Sequence, residues 1–188
     1  YNAAGSALDR AGALAASEAE HADVAAAEIR LAAAQDGKRQ ARAMFAEASQ
    51  DGSLAPLGSA DIAYLAASVG NKEIAYQSFK DAYDQGQLRG AQLIDAGYAA
   101  VRDYRNEEAV GLFKQAVDQA DAGVFPLSET ERFNLRRQIG DVSRQWGAYA
   151  SVIYGTSGIS SGYLSPAASA GEVMQVGTKI YWRPPMFG

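Results

Sequence analysis

Cysteine is absent from the 188 residues, which removes disulfides, thiol nucleophiles and Cys-ligated metals together and leaves the redox compartment open. Histidine occurs once, at His21, so little side-chain chemistry is available near neutral pH. No apolar run reaches the roughly 18 residues that a membrane-spanning helix needs, although a β-barrel with shorter, alternately apolar strands is untouched by that count. Basic excess is lacking too: 17 Lys and Arg face 22 Asp and Glu, a formal net charge of -5, against a nucleic-acid footprint. Neither a phosphate-binding G-x-x-x-x-G-K-[ST] loop nor a dinucleotide fingerprint occurs. These absences lean away from an enzyme and from any cofactor.

What is present is a chain with 48% hydrophobic and 21% charged residues, too apolar for wholesale disorder. Alanine occurs 39 times. That abundance favours helices whose axes approach closely, since Ala has the best helix propensity and the smallest helix-compatible side chain. The opening Tyr1-Asn2-Ala3-Ala4-Gly5 has no initiator Met, basic leader or apolar core segment, and reads as a processed or excised start.

Three segments align without a gap, beginning at Ala41, Ala75 and Ala109, so the step from the first to the second equals the step from the second to the third. All three read A-x-x-x-F-x-x-A, through Phe45, Phe79 and Phe113. Small residues at i and i+7 with an aromatic at i+4 share one helical face. The alanines let a neighbouring helix sit close, and the phenylalanine fills the space between repeats. A first helix precedes each copy. Ile62, Ala63 and Ala66 mark the one ending at Gly70-Asn71; Leu93, Ala96, Gly97 and Ala100 mark the next. Ala25, Ile29 and Ala32 mark a weaker one running to Asp36-Gly37.

A helix–turn–helix unit of this length and pattern resembles the tetratricopeptide repeat (TPR), over residues 20–120. The resemblance implies a mainly α fold, a TPR-type α-α superhelix or solenoid. An unrelated bundle of helical hairpins is the plainer alternative. Two departures stand out: Tyr104 occupies the turn position where glycine is expected, and proline is missing where a repeat usually ends. Residues 1–19, with Leu8, Ala11, Leu14 and Ala15 at helical spacing, are expected to form an N-terminal helix or cap. Within 121–146, Val124 to Leu127 breaks the repeat and Ser128 opens a further helix, with Glu131 completing a capping box. Leu135, Ile139 and Val142 form its apolar face, as a solenoid end requires.

From residue 147 to 188 the material changes. Only Glu172, Lys179 and Arg183 are charged there, and Gly, Ser and Tyr become frequent. Met174, Val176, Thr178, Ile180 and Trp182 alternate with more polar neighbours; Ala148, Ala150, Val152 and Tyr154 do so less cleanly. Two strands of barrel length are expected, with Tyr154, Tyr163, Tyr181 and Trp182 suited to an interfacial girdle. An ordinary hairpin half-buried on the helices fits the same pattern.

The run Asp141-Val142-Ser143-Arg144-Gln145-Trp146-Gly147-Ala148-Tyr149-Ala150-Ser151, with Val176-Gly177-Thr178-Lys179-Ile180-Tyr181-Trp182-Arg183-Pro184-Pro185, resembles the TPR-to-barrel junction of the NfrA family. These are outer-membrane phage-adsorption proteins, similar in layout to exopolysaccharide-export porins of the BcsC type. The resemblance covers about residues 128–188. It implies a non-enzymatic scaffold on the periplasmic side of the bacterial outer membrane, preceding a barrel that two strands cannot close. On that reading the chain is a piece of a longer protein. Its partner would be a protein segment, an inner-membrane complex or an acidic polysaccharide, with self-association possible through the β tail. A free-standing, peptide-binding TPR adaptor is the alternative.

Other patterns carry less. Gly158-Ile159-Ser160-Ser161-Gly162 matches the nucleophile-elbow motif but has no histidine after it and no helix behind it. Glu18 and His21 have an E-x-x-H spacing, but a di-iron bundle needs two such pairs. Asp118 and Asp121 lack the further oxygen ligands of an EF-hand. The better surface lies along the first helices, where the repeat period aligns Arg30, Tyr64 and Tyr98. Arg102, one turn beyond Tyr98, is expected on the same face. Flat rings and forked donors suit a peptide segment or an acidic sugar chain; the same residues could equally face only solvent.

Overall fold

The computed structural model describes residues 2–35, 37–144, 146–157 and 171–182. The protein is mainly helical with a short two-stranded sheet, and it divides into two compact units, Tyr1–Ser143 and Arg144–Gly188.

The first unit contains, among the described residues, α1 (Asn2–Leu14), α2 (Glu18–Gln35), α3 (Lys38–Gln50), α4 (Ser59–Val69), α5 (Lys72–Asp84), α6 (Ala91–Arg102), α7 (Asn106–Asp121) and α8 (Glu129–Ser143). Helices pack chiefly on their nearest or next-nearest neighbours in chain order: α2 on α3 and α4, α4 on α5, α6 on α7, α7 on α8. The first residues of the three copies, Ala41, Ala75 and Ala109, are buried, as are Phe45, Phe79 and Phe113. Burying one such aromatic is worth about 1.5–3 kcal/mol relative to leaving it in water. One apolar cluster gathers Ile29, Phe45, Leu54, Leu65 and Val69; a second gathers Phe79, Leu88, Leu93, Phe113 and Leu135. The period extends beyond the helices. Leu54 and Leu88, one repeat apart, are both buried in the segments between helices.

The turns follow from backbone chemistry. After α4, Gly70 N donates to Ala67 O and Asn71 N to Ala66 O, with Gly70 left-handed at φ 78°. This paired closure satisfies the last helical carbonyls. It recurs at Gly86 after α5 and Gly123 after α7. After α6 the same bonds form around Tyr104, whose φ is 65°. Tyrosine therefore adopts the conformation that the period assigned to glycine.

Two helix starts are capped reciprocally. Glu131 N donates to Ser128 Oγ at 3.2 Å while Ser128 N donates to the Glu131 carboxylate at 2.8 Å, the box expected before α8. A second box precedes α2: Glu20 N donates to Ser17 Oγ at 3.2 Å and Ser17 N to the Glu20 carboxylate at 3.0 Å. On α8, Leu135 is buried and Ile139 and Val142 are half-buried against the same cluster. Asp121 on α7 pairs with Arg132 and Arg136, tying that helix to α8. The first helix departs from its expected face, because Leu14 is 82% exposed at its end while Leu8 is only partly covered.

The second unit is an antiparallel pair, β1 (Trp146–Ser157) and β2 (Gly171–Trp182), in register from Trp146↔Trp182 to Ser157↔Gly171. Directly opposed residues share a face, so Ala148 meets Ile180, Val152 meets Val176 and Tyr154 meets Met174. Both expected alternating stretches thus lie on one face, each strand somewhat longer than the alternation alone delimited. Gly147 faces Tyr181, whose ring lies where a Cβ would stand, 2.6 Å away. The Gly158–Gly162 motif, Tyr163 and Pro184-Pro185 lie outside the described residues.

Candidate binding surface

The aligned tyrosines sit on successive first helices and make the same contact. Tyr64 on α4 meets Phe79 edge-on with ring centroids 5.0 Å apart, and Tyr98 on α6 meets Phe113 at 5.1 Å. Each tyrosine stands equally far ahead of its phenylalanine in the sequence, so one helical pair builds each contact and the period repeats it. Room for Phe113 comes from Gly97, where an added Cβ would overlap the ring.

The two tyrosines differ in what remains available. Tyr64 is half-buried, and its hydroxyl donates to Asp95 on α6 at 2.7 Å. Burial, then that bond, hold its phenol well above the ordinary range, so it is a fixed donor rather than a free one. Tyr98 remains 41% exposed. Arg30 is exposed at the corresponding place on α2. Position by position, then, the line runs from an exposed guanidinium through a committed tyrosine to an open one.

Arg102 belongs elsewhere as well. It lines a cavity of about 400 Å³ with Lys38, Arg42 and Lys72, at the turn ends of the helical pairs. Arg42 is held there by two carbonyls, its Nε donating to Val69 O at 2.8 Å and an Nη to Gly70 O at 3.3 Å. The missing side chain at Gly70 permits this, since a Cβ would lie 2.8 Å from that nitrogen. None of these three additional cations was singled out from the sequence, although Lys38 and Lys72 themselves stand one repeat apart.

A second unforeseen cluster joins α5 to α7. Tyr76 is buried and donates to Glu108 at 2.5 Å, while the Arg105 guanidinium lies 5.6 Å from its ring centroid. Burial, followed by the bond to Glu108, pushes the Tyr76 phenol up to about 12. The bond lines a cavity of about 230 Å³ together with Phe79, Tyr83 and Leu112. Glu20, which stands between Glu18 and His21 of the E-x-x-H spacing, spends its carboxylate on the start of α2; backbone donors at Ala16 and Ser17 hold it below the usual carboxylate range.

No protein-family model matches the chain, and no curated protein or solved structure matches it.

Proposed function

We propose that residues 20–120 form a TPR-type solenoid, capped by α8, that serves as a non-enzymatic scaffold beneath an outer-membrane barrel, in an NfrA-like protein of phage adsorption or exopolysaccharide export. The helical unit would stand on the periplasmic side and hold a protein segment or an acidic polysaccharide. Arg30, Tyr64, Tyr98 and Arg102 would contribute to that hold. The solenoid part of the reading is supported by recurrence of whole contacts at the repeat period: the Tyr–Phe pairs, the closures at Gly70 and Tyr104, and the buried leucines between helices.

The observation that carries the membrane part is the exposed apolar face of the hairpin. Val152, Tyr154, Met174, Val176 and Trp182 on that face are all more than half exposed, and Ile180 is 81% exposed. Strands of 12 residues each span about 40 Å at the usual rise. In water such a face invites association; against lipid it is the ordinary outer surface of a barrel strand.

The test is fractionation of the source cells with an antibody raised against residues 18–143. The expected antigen is a band well above 19.8 kDa in the outer membrane, protected from external protease until that membrane is permeabilised. A soluble cytoplasmic band near this chain's own mass would overturn the reading in favour of a peptide-binding adaptor.

A further inference from the structure

Folding accounts for only part of the cation cluster at the turn ends: Arg42 secures the last carbonyls of α4, whereas Lys38, Lys72 and Arg102 make no such bond among the described residues. Lys38, Arg42, Lys72 and Arg102 come from α3, α5 and α6 and converge on one cavity, in a chain whose net charge is -5. Like charges brought together repel, and an acidic protein has carboxylates to spare for neutralising them. Elsewhere that happens: Lys80 pairs with Asp84, Arg105 with Asp103, and Arg132 with Asp121. Here no acidic side chain is among the described residues lining the cavity, and none of the four is in an ion pair with a described residue.

The geometry points to an anion-binding site, and we propose that this cavity takes a compact group carrying two or more negative charges, either a phosphate or clustered carboxylates. Several features favour such a ligand over bulk counterions. Arg42 is fixed by its two carbonyl bonds, so part of the charge is set in place before binding. Lys72 lies 6.0 Å from the Tyr104 ring centroid, a second restraint on a cation at the rim. Ala67, Ala75 and Ala99 also line the cavity and add no negative charge. The cavity, about 400 Å³, is large enough for a diphosphate or a small polycarboxylate. This inference does not rest on the outer-membrane reading.

Calorimetric titration of the whole chain with inorganic pyrophosphate and, separately, with citrate tests it. Wild-type protein is expected to bind at least one of them at low ionic strength, with affinity falling as salt is added. Lys38→Gln/Lys72→Gln should weaken binding by roughly ten-fold, and Arg102→Gln by roughly three-fold, since each removes exposed charge contacts. Lys80→Gln, outside the cavity, should leave binding unchanged. Preference for pyrophosphate would assign a phosphate-bearing ligand, and preference for citrate a carboxylate-bearing one. Absence of binding to both probes, or equal loss in the Lys80 variant, would overturn the site. Arg42 is left intact in these variants because it also secures the end of α4.

Discussion

Phe45, Phe79 and Phe113 occupy one position three times over, and each is nearly sealed from water. Phe79→Ala should therefore cost roughly 3–5 kcal/mol, the usual loss for a buried aromatic. Ala75→Leu, at a position only 3% exposed, should cost roughly 1–3 kcal/mol by overpacking. Thermal melts that overlay the wild type for both would refute the contact register. Tyr104 offers the opposite experiment. A side chain bearing a Cβ is strained at its φ of 65°, so Tyr104→Gly should raise stability by about 0.5–1 kcal/mol, the relief exceeding the added freedom of the unfolded chain. A lower denaturation midpoint would mean that the Lys72 contact with its ring outweighs the strain. These positions were legible in the sequence because spacing alone aligns them. The cations around Arg102 were not, since Arg42 reaches the cavity through carbonyl bonds that no motif encodes.

Helix ends and strand pairs follow different rules of legibility. The box at Ser128 and Glu131 could be read directly, because its residues stood at a visible break in the repeat. The equivalent box at Ser17 and Glu20 was obscured by the neighbouring histidine, which suggested a ligand spacing across residues that cap a helix. Side-chain and backbone donors at Ser128 hold the Glu131 carboxyl below its ordinary value, and backbone donors at Ala16 and Ser17 do the same for Glu20. A depressed folded value makes each contribution present above about pH 4.5 and lost as pH falls through the folded value. At the other end, the raised phenol of Tyr76 contributes fully below about pH 10 and loses that contribution as pH rises toward about 12. Denaturation midpoints measured across pH should therefore fall at both extremes. Glu20→Gln/Glu131→Gln, which removes the titrating carboxyls, should make the acid side shallower, and Tyr76→Phe should blunt the alkaline side. Identical profiles in all variants would remove these bonds from the balance. For the strands, alternation disclosed the faces but not the register, because no tight two-residue turn fixes which residues oppose one another.

At the scale of the whole chain, the division after Ser143 makes the helical unit the part expected to fold alone. Deleting residues 144–188 should leave helical circular dichroism and the main thermal transition in place while reducing self-association in sedimentation. Loss of the helical signal would show that the hairpin is needed for the helical fold. The mainly helical character with a short β segment was the most legible property at this scale, since alanine content and helical spacing act over many residues at once. What the helices hold was the least, because binding depends on a few side chains brought together by turns. The near-neighbour packing of the helices has a kinetic consequence. Contacts between segments close in sequence require little loop closure, and chains built from them fold on microsecond-to-millisecond timescales. The α2–α3 pair has its contacts available before α8 has been synthesised. During synthesis the chain can therefore begin to assemble its near-neighbour contacts without waiting for its last helix.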